Sequence, residues 1–433
     1  MKLKKAICLL ALFSFCAAVL ASCSSAVSGG TDVTEQSGEA VVSTDNATTA
    51  AEETTVTEET EPDYDNMTPE ELRKAVVERS LITVGNTERA AAALKKAEQG
   101  ENITVAYIGG SITEGLTAGP EDCWAKLSYN RLCERFPSAQ INYVNAGMSG
   151  TPSTLGIIRT ERDVLAPYGN PDIVFIEFAV NDAQDNISKE AYESLVRRFL
   201  GLDSKPAVVL LFTRTSTGYT CQKHMSEIGS HYGLPMISVP DAINPELDSG
   251  RMEWADYSDD GAHPHIEGHK LVAEMVDNYF EKVLSGAESE AKELSGAEPL
   301  YGDAYVNMHL LDRTNLTPVS LGEYNDEKET ISQFPNGWTR KGGENLGISF
   351  DITSESLFII YHCNKSNKYG TAEVYVDGEL CSEVKSSSST GWSNPVAQLV
   401  FKSSELKTRR IEIKMADGNE DTYFGILGFG YTD

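Results

Sequence analysis

The chain has 433 residues, of which 65 are acidic and 36 basic, giving a formal net charge of -29, and 40% are hydrophobic. This length points to two or three domains, and the apolar fraction is enough for packed cores. So acidic a balance argues against a broad nucleic-acid or anionic-membrane surface, because phosphates are bound by stripes of Lys and Arg.

Residues 1–22 read as an export signal. Met1-Lys2-Leu3-Lys4-Lys5 is a basic start, and Ala6 to Leu20 is an apolar run too short for a comfortable membrane span. The run ends in Leu20-Ala21-Ser22-Cys23, which resembles the bacterial lipoprotein lipobox. The resemblance implies acylation of Cys23 and an extracytoplasmic position at the bacterial membrane or cell surface, with the lipid as the only membrane contact. Residues 23–65 are rich in Ser, Thr, Glu, Ala and Val and nearly free of aromatics, the composition of an acidic disordered tether. Cys8 and Cys16 would leave with the signal. Cys123, Cys133, Cys221, Cys363 and Cys381 then remain, without C-x-x-C spacing, so no metal site is expected. Cys363 and Cys381 are either a cross-strand pair or two free thiols.

Order is expected from Thr68-Pro69-Glu70-Glu71, where a capping Thr, a Pro at the first helical position and two acids mark a helix start. A second helix spans Thr87 to Gln99. Strands are then expected at 103–108, 141–144, 173–178, 207–212 and 236–239, and helices at 123–136, 154–165, 189–200, 222–232 and 267–283. Near-continuous apolar strands between helices describe a parallel sheet covered on both faces, a three-layer α/β/α domain over about 66–285. From about 298 to 433 the texture changes to short alternating strands with turns such as Val376-Asp377-Gly378. That pattern suggests an all-β, jelly-roll-like sandwich.

Four places in the α/β region fit one mechanism. Ser111 follows a buried strand and two glycines, at the carboxyl end of the sheet where such folds place their sites. Asp260-Gly261-Ala262-His263 sets a carboxylate three residues before an imidazole, so Asp260 can orient His263 and His263 can take the Ser111 proton. Asn145-Ala146-Gly147 and Val180-Asn181-Asp182 each follow a strand. The N–H groups of Ser111 and Gly147 and the Asn181 amide would make an oxyanion hole, each donor contributing roughly 3–4 kcal/mol in the transition state.

Ser111, Gly147, Asn181 and His263, in this order, resemble the catalytic blocks of the SGNH (GDSL-like) hydrolases. The resemblance implies a flavodoxin-like α/β/α fold and a serine esterase that needs no cofactor. Two blocks depart from the family pattern. Gly109-Gly110-Ser111 stands for Gly-Asp-Ser, and Ala179-Val180-Asn181-Asp182 for Gly-x-Asn-Asp. The form Gly109-Gly110-Ser111-Ile112-Thr113 is similar to that of bacterial carbohydrate O-acetylesterases, which makes an acetylated extracellular glycan the expected partner. A lysophospholipase or long-chain acyl esterase, a glycan-binding lipoprotein with a silent esterase fold, and an acetyltransferase are the competing readings.

Other candidates have plainer readings. Ser149 is a rival nucleophile without the strand–Gly–Gly entry. Asp182 is expected to brace its loop, Arg159 to form an ion pair or else to bind a substrate carboxylate, Glu177 to be a satisfied buried acid and His269 to be structural. His224 and His231 are expected on a helix surface. Trp338 and Trp392 are candidate sugar-stacking residues, with packing in the core as the alternative.

Overall fold

The computed structural model describes residues 63–289, 297–326 and 331–433. The expected export signal, Cys23 and nearly all of the expected tether lie outside the described residues. The segment up to Leu72 stands as a unit by itself. There Thr68 Oγ1 accepts the Glu71 N–H at 3.3 Å while the Glu71 carboxylate accepts the Thr68 N–H at 2.8 Å, a reciprocal cap for the helix that follows.

In chain order the α/β region comprises α1 (Pro69–Arg79), β1 (Leu81–Thr83), α2 (Glu88–Glu98), β2 (Ile103–Gly109), α3 (Ser111–Glu114), α4 (Trp124–Arg135), β3 (Ile141–Gly147) and α5 (Ser153–Thr160). A π-helical turn, Glu161–Leu165, leads to α6 (Ala166–Tyr168). Then come β4 (Ile173–Glu177), α7 (Asn186–Leu200), β5 (Ala207–Phe212), α8 (Gln222–Tyr232), β6 (Met236–Ser238), α9 (Val239–Ser249) and α10 (Ile266–Leu284). The sheet order is β1-β6-β5-β4-β2-β3, parallel throughout except that β1 runs antiparallel to β6 along one edge. Strand side chains alternate between two cores. Ala106, Ile108, Val174, Ile176, Val208 and Leu210 pack towards α5, α7 and α8. Val105, Tyr107, Ile173, Phe175, Val209 and Leu211 pack towards α2, α4, α9 and α10. Full burial on both faces is why these strands read as unbroken apolar runs.

Helix α9 is absent from the sequence expectation, because Pro240 and Pro245 break its pattern. Pro245 lies inside the helix, and Pro240 sits at its start. Ser238 caps the helix by accepting the Asp241 N–H at 2.9 Å, and Pro240 lies in the first turn, where a missing N–H costs nothing.

The C-terminal region is an all-antiparallel sandwich of β7 (Met308–Leu311), β8 (Trp338–Arg340), β9 (Ile348–Asn364), β10 (Thr371–Val376), β11 (Glu379–Lys385), β12 (Trp392–Met415) and β13 (Phe424–Thr432). Pairs of short strands expected from the sequence are joined here into two long ones, β9 and β12. Their ladder slips between Lys402↔Ser356 and Lys407↔Ser354. Core-facing side chains change parity at the same place, from Ile348, Phe350 and Ile352 to Leu357, Ile359 and Tyr361. A bulge therefore lets each long strand serve two parts of the sandwich.

The opposite face of β9 is not solvated. Phe358 and Ile360, with Leu427 of β13, join the core that lies on α5 and α7, together with Tyr305 and Met308. One hydrophobic cluster thus belongs to both the sheet-and-helix layer and the sandwich.

Candidate active site

Strand β2 delivers its last residue, Gly109, to the carboxyl edge of the sheet, and Gly110 caps the single turn α3. Ser111 opens that turn. Its Oγ lies 2.8 Å from His263 Nε2, and His263 Nδ1 lies 2.7 Å from Asp260 Oδ2. The three residues named from the sequence as nucleophile, base and orienting acid are thus brought into one hydrogen-bonded chain.

Local bonding explains how a spacing of three residues suffices. Asp260 Oδ1 accepts the backbone N–H groups of Ala262 and His263, each at 2.7 Å, leaving Oδ2 for the imidazole. Ser258 Oγ donates to the His263 carbonyl at 2.6 Å, and Trp254 Nε1 donates to the Asp260 carbonyl at 2.5 Å. Partial burial would raise the Asp260 carboxyl, but the His263 and Ala262 N–H groups and the imidazole outweigh it and hold the acid below its ordinary range. The His263 side chain is 23% exposed, so the pair opens to solvent.

Asn181 follows β4 in a turn in which its N–H donates to the Phe178 carbonyl at 2.9 Å. Its amide lies flat on Gly110, where a Cβ would sit 2.1 Å from Asn181 Oδ1 and 3.0 Å from Nδ2. Oδ1 is buried without a partner, and Nδ2 makes no hydrogen bond to the described residues.

Gly147 departs from the expectation. Its N–H donates to Asn145 Oδ1 at 2.9 Å, and a Cβ here would lie 2.2 Å from the Glu114 backbone nitrogen. The donor is spent inside the loop and the residue is packed beneath α3. The neighbouring N–H groups of Met148, Ser149 and Thr151 donate to the Gly109 carbonyl, the Glu114 carboxylate and the Met148 carbonyl. That leaves the N–H of Gly150, an exposed residue at φ +68°, unpaired among the described residues. The strand-then-glycine signal pointed to this loop, but not to which of its glycine N–H groups is already spent inside it.

Arg159 is fully buried and donates to the carbonyls of Ala146 (2.6 Å) and Gly109 (3.0 Å), besides pairing with Asp163 at 3.1 Å. Glu177 accepts from Thr113 Oγ1 at 2.9 Å and Thr213 Oγ1 at 2.7 Å, and burial pushes its carboxyl up despite these bonds. Asp182 accepts both the N–H and the hydroxyl of Ser153 at 2.6 Å. Ser149 gives its hydroxyl to Glu114. His269 Nδ1 accepts the Trp124 N–H at 3.2 Å, and burial lowers its pKa to about 4. His265 caps α10 by accepting the Gly268 N–H at 3.1 Å. His224 is buried rather than on a helix surface, and its pKa falls to about 4 for the same reason. Among the described residues no group of three His, Cys, Asp or Glu side chains could hold a metal ion.

The two tryptophans part company. Trp338 is 1% exposed in the sandwich core, against Phe429, and cannot stack on a sugar. Trp392 is 46% exposed, and a Cβ on Gly150 would lie 2.8 Å from its Cζ2. This indole of the sandwich therefore lies against Gly150 of the loop. Cys363 and Cys381 are both free thiols.

Residues 107–271 match the model of the GDSL-like Lipase/Acylhydrolase family. Among curated proteins, none matches this chain. Among solved structures, a two-domain esterase (CEX) active on acetylated mannans is similar with a TM-score of 0.75 and 27% identity, over 82% of this chain and 99% of that one. The CEX structure co-crystallised with mannopentaose is similar with a TM-score of 0.74 and 27% identity, over 82% and 98%. Both the sheet-and-helix layer and the sandwich thus have a counterpart in the two-domain esterase: the chain is an SGNH-like α/β domain, matched by the GDSL-like family model over 107–271, followed by an antiparallel β sandwich, and the protein is an esterase.

Proposed function

We propose that the protein removes O-acetyl groups from an extracellular glycan, with acetylated mannan as the leading substrate, through an acyl-Ser111 intermediate. The observation that carries the reading is the unbroken chain from Ser111 Oγ through His263 to Asp260. His263 Nε2 takes the Ser111 proton as Oγ attacks the acetyl carbonyl. The oxyanion is met by the Ser111 N–H, Asn181 Nδ2 and the Gly150 N–H, which replaces Gly147 as the donor of its loop. His263 then gives the proton to the departing sugar hydroxyl. Water, deprotonated by the same imidazole, releases acetate. Asp260 keeps the imidazole in its reactive tautomer and stabilises its charged form.

The choice of substrate rests on the likeness to the acetylated-mannan esterase across both parts of the chain, and on Trp392, a flat exposed ring at the rim that suits a pyranose face. The lipobox-like Leu20-Ala21-Ser22-Cys23 and the acidic composition of the segment after it support a position on the outer side of a bacterial membrane, held away from it. Cys23→Ser should move the protein from the membrane fraction to the soluble one.

The deciding experiment is acetate release from acetylated mannan, acetylated xylan and aryl acetate, beside Ser111→Ala. The reading expects release from mannan and aryl acetate by the wild type alone. No release from any of the three, or full activity in Ser111→Ala, would sink it.

A further inference from the structure

The end of α5 and the π-helical turn that follows it carry a chain of buried and half-buried charges that starts beside the nucleophile and ends in the C-terminal region. Arg159 is the inner member. Its Nη2 holds the carbonyl of Gly109 at 3.0 Å and its Nη1 the carbonyl of Ala146 at 2.6 Å. These two peptides close β2 and β3, immediately before Gly110-Ser111 on one strand and the Gly147–Gly150 loop on the other. The Gly109 carbonyl also accepts the Met148 N–H at 3.0 Å, so the two loops meet on one oxygen.

Asp163 is the middle member. It accepts Arg159 Nη1 at 3.1 Å and takes Arg162 through Nε at 2.5 Å and Nη2 at 3.0 Å. Arg162 is the outer member. Its Nη1 donates to the Gln333 carbonyl at 3.1 Å, and its guanidinium lies over the Phe334 ring, 4.6 Å from the centroid.

A fully buried guanidinium is a poor device for stability alone, since desolvation offsets most of what its partners return. Arg159 Nε is even left without a partner. What the arrangement does supply is geometry, because a planar fork fixes two carbonyls in a way that no single-point cation can.

We propose that Arg159 is a positioning residue: by holding the Gly109 and Ala146 carbonyls together, it fixes the nucleophile turn and the amide-donating loop relative to one another, and Asp163–Arg162 braces it against the sandwich. The inference rests on the Ser111 reading above. Arg159 touches no reacting atom. It acts through the two peptides it holds, and misplacement by about 1 Å costs on the order of 100-fold in rate.

The test uses the full chain with aryl acetate as substrate and a fluorophosphonate to titrate active sites. Arg159→Met should lower kcat per titrated site by about 100-fold and leave KM within about twofold, and it should slow phosphonylation to the same degree. Arg159→Lys, which can reach one carbonyl but not both at once, should recover part of the loss. A merely structural role predicts something else: fewer titratable sites, each with the wild-type kcat. That result overturns the proposal. If Arg159→Met does not fold, Arg159→Lys decides alone, and wild-type kcat per site in it is equally fatal. Ser111→Ala runs alongside. Turnover in Ser111→Ala would show that the nucleophile assignment failed, whereas a dead Ser111→Ala with fully active Arg159 variants would show that only the positioning role did.

Discussion

A Cβ on Gly110 would lie 2.1 Å from Asn181 Oδ1. That clash supplies a physical reason for the glycine in a block where the related family carries Asp: the amide of Asn181 occupies the space an Asp side chain would need. Gly110→Asp, which restores the family residue, should therefore displace Asn181 and cost about 100- to 1,000-fold in kcat, the usual price of one lost oxyanion donor. Steady-state kinetics on aryl acetate check this, and an unchanged kcat would remove Asn181 from the hole. Trp392 predicts a different pattern. Trp392→Ala should raise KM for acetylated mannooligosaccharides about tenfold, in line with the loss of one ring face, and leave aryl acetate kinetics alone. At this scale the sequence was legible where chemistry dictates residue type. Ser111, His263 and Asp260, which the structure joins in one hydrogen-bonded chain, could be picked out because few side chains suit such a chain. Gly147 and Gly150 could not be told apart, because a backbone amide leaves no mark in the residue name. Only the Asn145 side chain, which takes the Gly147 N–H, separates them.

The turn after β4 is tied to the start of α5 by Asp182, which takes both the N–H and the hydroxyl of Ser153. Burial raises the Asp182 carboxyl to about 7, with the Ser153 bonds opposing and the Asp185 and Glu177 charges adding to the rise. An acid whose folded pKa is raised stabilises the fold fully below its unfolded value of 3.8, and that contribution is lost as pH climbs through about 7. Asp182→Asn, which cannot ionise, should gain in melting temperature relative to the wild type between about pH 4 and 7. Parallel melting curves across that window would show that the carboxyl stays ionised. Most elements of the α/β region could be read from their apolar runs and caps, Thr68 and Pro69 among them. Helix α9 hid behind its prolines. The long strands β9 and β12 were read as shorter pieces because the parity of their buried residues changes at a bulge, and alternation broken in that way looks like a strand end.

Across the whole molecule, the shared cluster under β9 decides how the parts unfold. Leu357, Phe358, Ile359 and Ile360 are all buried, with alternate members facing different cores. Phe358→Ala should cost about 3–5 kcal/mol, and calorimetry should still show one transition, because the cavity opens in a core common to sheet, helices and sandwich. Two separate transitions in the wild type would contradict the shared core. The run Leu357-Phe358-Ile359-Ile360 was the visible sign of this arrangement, since a half-solvated sandwich strand alternates and this one does not. What the sequence could not indicate was the identity of the other surface, which depends on how α5 and α7 are laid down.

The cysteines carry a practical consequence. Each one among the described residues is a free thiol, and Cys123, Cys221 and Cys363 are buried as small apolar side chains. The described fold therefore contains no oxidative cross-link to form. Folding should proceed equally well in a reducing cytoplasm, and dithiothreitol should leave the melting temperature where it was.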